Sequence, residues 1–170
     1  MLLAGDDWRK FFDSYRRDAF RLETLPVYGV PEEDEEFRVW RETGRLDIPE
    51  DDPWLVRVRR FRETGRSIGR VHVLIRPLTE YLRFEFAFYP HSSQAGEEIR
   101  ILDVTDRPNP LAGAQDFWLF DDTHVVLMHY ADDGTQTSRE LLDDADPTPY
   151  IEQKRLALAH SVPFPEYRAG

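Results

Sequence analysis

The stretch SIGRVHVLIRPLTEYLRFEFAFYPHS, residues 67–92, joins a predicted strand to a predicted helix and so places the chain among folds that mix the two. In its first half, side chains at 71, 73 and 75 alternate with a second row at 72, 74 and 76, as in a β-strand. In its second half, large apolar side chains recur at helical spacing, although Phe84, Phe86 and Phe88 also alternate as in a strand. Because Pro77 and Pro90 bracket this part as one element, we favour a helix.

Outward from this stretch, periodicity and end signals predict further elements. Helices are expected over Asp6–Phe20, in PEEDEEFRVWRETG, from the N-cap Asp52 to near Gly65, and in TPYIEQKRLALAHS. Strands are expected near 70–76, 98–103, 116–121, 124–130 and 135–141. We therefore predict one α+β domain over residues 1–170, with a mainly antiparallel sheet of about five strands covered by N-terminal, middle and C-terminal helices.

Composition limits the function classes. The 22 Lys and Arg against 33 Asp and Glu give a net charge of -11, which opposes binding to nucleic acids and to anionic membranes. Arginines nevertheless cluster between Arg57 and Arg70. They form either a local basic patch or salt bridges with the many acidic residues. The absence of cysteine excludes disulfides and thiol catalysis and fits a reducing compartment, so we expect a cytoplasmic protein that no apolar run anchors in a membrane.

No motif for a common cofactor or metal is present. The chain has no GxSxG, GxGxxG or Walker loop, and its five histidines have neither HxH nor HxxxH spacing. Carboxylates suited to Mg²⁺ occur throughout the chain and single out no site. We therefore predict no metal and no cofactor.

The stretch DFWLFDD, Asp116–Asp122, raises the question of whether its acids are reactive. On a strand, Asp116, Trp118 and Phe120 share one face, and the Asp121–Asp122 pair falls where a turn begins. We interpret that pair as turn chemistry, and only Asp116 lies beside aromatic side chains expected to be buried.

A second set of charged side chains lies within apolar segments, where an unpaired charge is costly. Its members are Arg21, Glu23, Arg70, Arg76, Glu85, Glu97 and Asp116. Two interpretations stay open. The residues form internal Arg–carboxylate pairs, or Arg70 and Arg76 hold an anionic ligand while Glu85, with a raised pKa, acts as acid or base and Tyr81 as donor.

The segments RLET, RVHVLIRPLTEYLRFEFAFY, AGEEIRIL and DFWLFDD resemble an uncharacterised actinobacterial family, domain of unknown function number 6879. The likeness covers nearly the whole chain. Members often lie beside helix-turn-helix regulators, which implies a regulatory or partner-binding role. The recurring positions match at Arg21, Glu23, Arg76, Tyr81, Glu85, Glu97, Asp116, Trp118 and Asp121. His72 departs from the pattern, because a second arginine is expected there.

Two functions follow as hypotheses. The first is a non-enzymatic regulatory or interaction module that binds a protein partner, such as a transcriptional regulator, through acidic and aromatic surface. The alternative is an enzyme or toxin-like effector that acts on an anionic small molecule or nucleotide. The candidate catalytic residues are Glu85, Tyr81 and Asp116, and the candidate ligand-binding residues are Arg21, Glu23, Arg70, Arg76, Glu97 and Trp118.

Overall fold

The computed structural model describes residues 1–169 and shows an α+β fold built on one sheet. The strands are β1 (Asp18–Glu23), β2 (Ser67–Leu74), β3 (Glu98–Asp103), β4 (Phe117–Phe120), β5 (His124–Tyr130), β6 (Gln136–Leu141) and β7 (Val162–Pro163). The helices are α1 (Gly5–Asp13), α2 (Asp34–Thr43), α3 (Pro53–Glu63), α4 (Glu80–Ala95), α5 (Thr148–His160) and α6 (Phe164–Ala169), with a 3₁₀ turn at Pro31–Glu33 before α2.

The sheet is mixed, so the prediction of a mainly antiparallel sheet of about five strands was wrong. Its seven strands within residues 1–169 follow the order β6-β5-β4-β1-β2-β3-β7. Strands β1, β2 and β3 are mutually parallel, and the remaining neighbours are antiparallel. The reason is the helical connection: α4 carries the chain from the end of β2 back to the start of β3, and such a crossover produces a parallel pair.

The largest error concerns the first half of β1, because residues 18–20 were expected to end the first helix. Helix α1 stops at Asp13, and the chain enters the sheet at Asp18. The carboxylate of Asp121 accepts the backbone N–H groups of Arg16, Arg17 and Asp18 at 2.9, 2.7 and 3.0 Å, which holds the chain between helix and strand. The helix was expected to continue because Ala19 keeps the three- and four-residue spacing of Trp8, Phe12 and Tyr15.

Most other elements are confirmed, because their signals are local. Asp52 accepts N–H groups of the first turn of α3 at 3.0 and 3.2 Å, and Gly44 ends α2 with φ 70°. Helix α4 forms where we favoured a helix, with Thr79 as its N-cap. The β5–β6 hairpin turns at Gly134, whose φ is 89°. The two-residue strand β7 and the short helix α6 were not predicted.

The two faces of the sheet bury different clusters. On one face, Phe12 of α1 and Phe61 of α3 pack with Trp118 and Phe120 of β4. On the other face, Ala157 of α5 belongs to a cluster with apolar residues of β1, β2 and β4. Trp118 and Phe120 therefore share a face, as the alternation predicted. Among residues 1–169, no helix is long and apolar enough to cross a membrane.

Candidate functional site

An open cleft, here called the central cleft, lies on the sheet face that α1, α3 and α4 cover. Its volume is about 540 Å³. Four half-buried aromatic side chains line it: Trp8 of α1, Trp54 of α3, Phe88 of α4 and Tyr130 of β5. Because these rings come from distant parts of the chain, only the folded protein forms the cleft.

Acidic side chains outnumber basic ones along its wall. Six carboxyl groups line it, those of Glu23, Glu32, Glu33, Glu36, Asp52 and Glu85, against four guanidinium groups, those of Arg21, Arg57, Arg70 and Arg139. The balance of its charges therefore depends on which of these groups already have partners.

Arg21 of β1 is neutralised within the fold. It is 5% exposed, and its Nη2 lies 3.2 Å from Oδ2 of Asp116 and donates to the Tyr130 hydroxyl at 2.7 Å. The other Asp116 oxygen accepts the backbone N–H and the hydroxyl of Thr24, and the Tyr28 hydroxyl donates to Oδ2. Internal donors thus occupy both oxygens of Asp116, which is what a buried carboxylate requires.

Arg70 of β2 is neutralised as well. It is the register partner of Arg21 in the parallel β1–β2 pair, so the two guanidinium groups lie on the same face. Arg70 donates to Glu23 at 3.0 Å and to both oxygens of Glu97 at 2.8 and 3.1 Å. Glu97 also accepts from Ser92 Oγ at 2.6 Å. The interpretation of Arg–carboxylate pairing holds for both arginines.

The pKa of Glu23 follows from this pairing. Burial by itself would raise it, but the charges of Arg70 and Arg21, together with the hydrogen bond from Arg70, lower it to about 2. Glu23 is therefore ionised at neutral pH and serves as a fixed counter-ion.

A third group, Glu33, Tyr81 and Glu85, contains no cation. Tyr81 and Glu85 are one helical turn apart on α4, and Glu33 ends the 3₁₀ turn that faces them. The Tyr81 hydroxyl oxygen lies 2.7 Å from Oε1 of Glu85 and 2.9 Å from Oε2 of Glu33. A hydroxyl has a single hydrogen, so both contacts are hydrogen bonds only if one carboxyl carries a proton.

The electrostatics agree with a shared proton. Burial raises the pKa of Glu85 well above its ordinary value, and the negative charges of Glu33 and Glu23 raise it further. Burial also raises the pKa of Glu33, although hydrogen bonds with Tyr81 and Glu85 oppose that rise. Two adjacent carboxyl groups in this setting titrate as a coupled pair, and the loss of their last proton is shifted to higher pH.

The predicted site residues fall into two places. Arg21, Glu23, Arg70, Tyr81, Glu85 and Trp118 all line the central cleft, with Asp116 and Glu97 directly behind its arginines. Arg76 does not join them. It follows the end of β2 and is half exposed, and it donates to the Tyr167 hydroxyl at 2.7 Å and lies 3.6 Å from Asp103.

Sequence reasoning missed several residues of the cleft. Glu33 was interpreted as part of a run that suits a helix dipole, and nothing in its spacing points to Glu85, 52 positions later. Tyr28, Trp54 and Tyr130 were also missed, although Tyr and Trp, which carry a hydrogen-bonding group on an apolar ring, are enriched at binding surfaces. Among residues 1–169, no group of three or more His, Asp or Glu is placed to hold a metal ion.

The chain is an α+β domain with a mixed seven-stranded sheet and an acidic, aromatic cleft on the face that α1, α3 and α4 cover. The family model described as Domain of unknown function (DUF6879) matches residues 6–169. The match spans nearly the whole chain, so the protein belongs to that family. A comparison with curated proteins found no match.

Proposed function

We propose that this domain is a non-enzymatic interaction module that binds a protein partner through the central cleft and the acidic run Glu32–Glu36 beside it. One observation carries the proposal. The two buried arginines of the cleft are already paired with carboxylates, whereas the carboxyl groups of Glu33 and Glu85 are paired with no cation in residues 1–169. The cleft therefore favours positively charged groups.

The position of the acidic run supports this proposal. Glu32, Glu33 and Glu36 line the cleft, and Glu35 faces away from it and pairs with Arg38 at 2.6 Å. The run thus extends the negative potential of the cleft to the surface, where it attracts a basic partner and speeds association. A helix-turn-helix regulator, whose DNA-binding face is basic, is the kind of partner that fits.

The alternative, an enzyme acting on an anionic small molecule, needs an arginine free to hold the anion. Arg70 is engaged by Glu23 and Glu97, and Arg76 lies outside the cleft. Arg139, which stacks on Trp8 at 5.0 Å, is the cleft arginine that has no carboxylate within 4.0 Å in residues 1–169, and it is a single cation in a wall with more acids than arginines. The geometry therefore favours the interaction module.

Charge reversal inside and outside the cleft tests the proposal. The affinity for a helix-turn-helix regulator that co-purifies with the wild-type protein would be measured by calorimetry for Glu32→Lys/Glu36→Lys. The control is Glu63→Lys/Glu98→Lys, which gives the same change in net charge at exposed acids away from the cleft. We expect the cleft variant to weaken binding by roughly tenfold or more at low salt and the control to change it by less than about threefold. Equal effects from both variants would count against the cleft.

A further inference from the structure

One pair of carboxyl groups in the central cleft differs from the other buried acids around it. Glu23, Glu97 and Asp116 each contact an arginine at 3.2 Å or less. Glu85 is 7% exposed and lines the cleft, yet no cation lies within 4.0 Å of it or of Glu33 among residues 1–169.

The hydrogen bonds of Glu85 are also incomplete. Its Oε1 lies 2.7 Å from the Tyr81 hydroxyl, and its other hydrogen-bond neighbour within residues 1–169 is the carboxyl group of Glu33. A buried carboxylate ordinarily has several donors, as Asp116 does. The missing donors are what a bound cation with several N–H groups supplies.

We propose that Glu33 and Glu85, together with the aromatic face of α4 around Tyr81, bind one guanidinium group, the side chain of an arginine on the partner protein. This inference rests on the proposed function, because it names the group that the partner places in the cleft. Two facing carboxyl groups match the planar, five-donor guanidinium better than they match a compact ammonium group.

The aromatic walls support the choice of arginine. Tyr81, Phe84 and Phe88 occupy the same face of α4 as Glu85 and line the cleft with it. Guanidinium groups already stack on aromatic rings there: Arg57 lies 4.7 Å from the centroid of Phe12. A ring and a carboxylate side by side recognise a cation through both its charge and its flat surface.

Binding of the guanidinium displaces the shared proton. The groups that act on the pair are Glu23 of β1, Arg70 of β2 and Tyr81 of α4, with burial as the largest influence raising both carboxyl pKa values. Asp52 before α3 and Arg57 within it line the same cleft. Because a cation between the two carboxyl groups favours both ionised forms, occupation releases the proton. Affinity for arginine therefore increases as pH rises, until the empty pair has lost its proton.

The test uses the full chain and three capped tripeptides. Acetyl-Gly-Arg-Gly-amide is the probe, the peptide with citrulline replacing Arg is its neutral isostere, and the peptide with Lys tests selectivity for guanidinium. The readout is the NMR signal of each tryptophan indole N–H. Trp8, Trp54 and Trp118 line the cleft, and Trp40 packs on Phe84 of its wall.

We expect the arginine peptide to shift the indole signals of Trp8 and Trp54, the lysine peptide to bind more weakly, and the citrulline peptide to leave all signals unchanged. Glu85→Gln keeps the size of the side chain and an oxygen that accepts from Tyr81, so it should fold, and it should weaken arginine binding by roughly tenfold or more. Glu33→Gln provides the second test at the facing carboxyl. For the wild type, release of one proton predicts a dissociation constant that falls by close to tenfold per pH unit below the pKa of the pair.

The inference is overturned if the citrulline peptide binds as well as the arginine peptide, if lysine binds as tightly as arginine, or if neither Gln variant weakens binding. Partner binding that is lost in Glu32→Lys/Glu36→Lys but unaffected by Glu85→Gln would refute the arginine subsite and leave the interaction module standing. Failure of both assays would refute both.

Discussion

Replacing Asp116 by alanine tests whether the buried Arg21–Asp116 pair is structural. The two side chains are 6% and 2% exposed, with 3.2 Å between Nη2 and Oδ2. Removal of one member of a buried pair leaves the other charged and without its counter-ion, at a cost of about 3–5 kcal/mol. The change also leaves the Thr24 N–H and the Tyr28 hydroxyl with one acceptor fewer, at about 1–3 kcal/mol for a group left unsatisfied.

These costs overlap, because one carboxylate serves all the donors. We therefore expect Asp116→Ala to lower the free energy of unfolding by about 4 kcal/mol, a large share of the roughly 5–15 kcal/mol typical of a domain. Asp116→Asn retains one acceptor oxygen and should lose less. Urea unfolding followed by tryptophan fluorescence measures both variants, with an unchanged slope against denaturant as the check on two-state behaviour.

The matched control is an ion pair on the surface. Arg38 and Glu35 approach to 2.6 Å, closer than Arg21 and Asp116, but their side chains are 53% and 75% exposed. Glu35→Ala should leave the midpoint of urea unfolding nearly unchanged, since water screens exposed pairs. The comparison separates the effect of burial from the effect of distance.

A double-mutant cycle supplies the refuting result. If the cost of Asp116→Ala is the unpaired charge of Arg21, the variant Arg21→Met/Asp116→Ala should be clearly more stable than the sum of the two single changes predicts. A loss below about 1 kcal/mol for Asp116→Ala, or strict additivity in the cycle, would show that the pair does not stabilise the fold in this way.

Three further perturbations follow from the structure. Because the pKa of Glu85 is raised, the folded state retains a proton that the unfolded chain releases above the ordinary pKa of 4.5, and stability should decrease as pH rises above that value. Urea unfolding at several pH values should show a smaller decrease for Glu85→Gln. The pKa of Glu23 is shifted the other way, to about 2, so ionised Glu23 stabilises the fold above pH 4.5 by up to about 3 kcal/mol. This stabilisation is lost as pH falls toward 2, and acid unfolding of Glu23→Gln should lack that loss. Gly134 and Gly113 both have positive φ, but only a Cβ at Gly134 would clash with backbone, that of Val27. Thermal unfolding should therefore show a loss of at least about 3 kcal/mol for Gly134→Ala and about 1 kcal/mol for Gly113→Ala. Similar losses for the two variants would contradict this.

The helices could be predicted because the residues next to each helix end determine where it starts and stops. Asp52 and Pro53 start α3, and Gly44 ends α2, through hydrogen bonds and backbone angles that involve only one turn of chain. The turn at Asp121 could be predicted for the same reason. Its carboxylate, however, binds N–H groups more than 100 residues earlier, which no local pattern indicates.

The sheet order depended on interactions that local patterns do not record. Strand β1 pairs with β2, which begins 49 residues after it, and with β4, which begins 99 residues after it. Its first residues suited a helix as well as a strand, and pairing with β2 and β4 selects the strand. The parallel β2–β3 pair is the exception, because a helix between two strands is a local signal for parallel pairing.

The sequence by itself determined the α+β class, the positions of most elements and the residue types of the site, because propensity, capping and apolar context act over a few residues. Only the tertiary structure decided which charges meet. It paired Arg21 with Asp116 and Arg70 with Glu23 and Glu97, and it separated Arg76 from them because β2 ends at Leu74. It also brought Glu33 to Glu85. The interaction energy of two charges depends on their distance in space and on their burial, and neither quantity is a function of spacing along the chain.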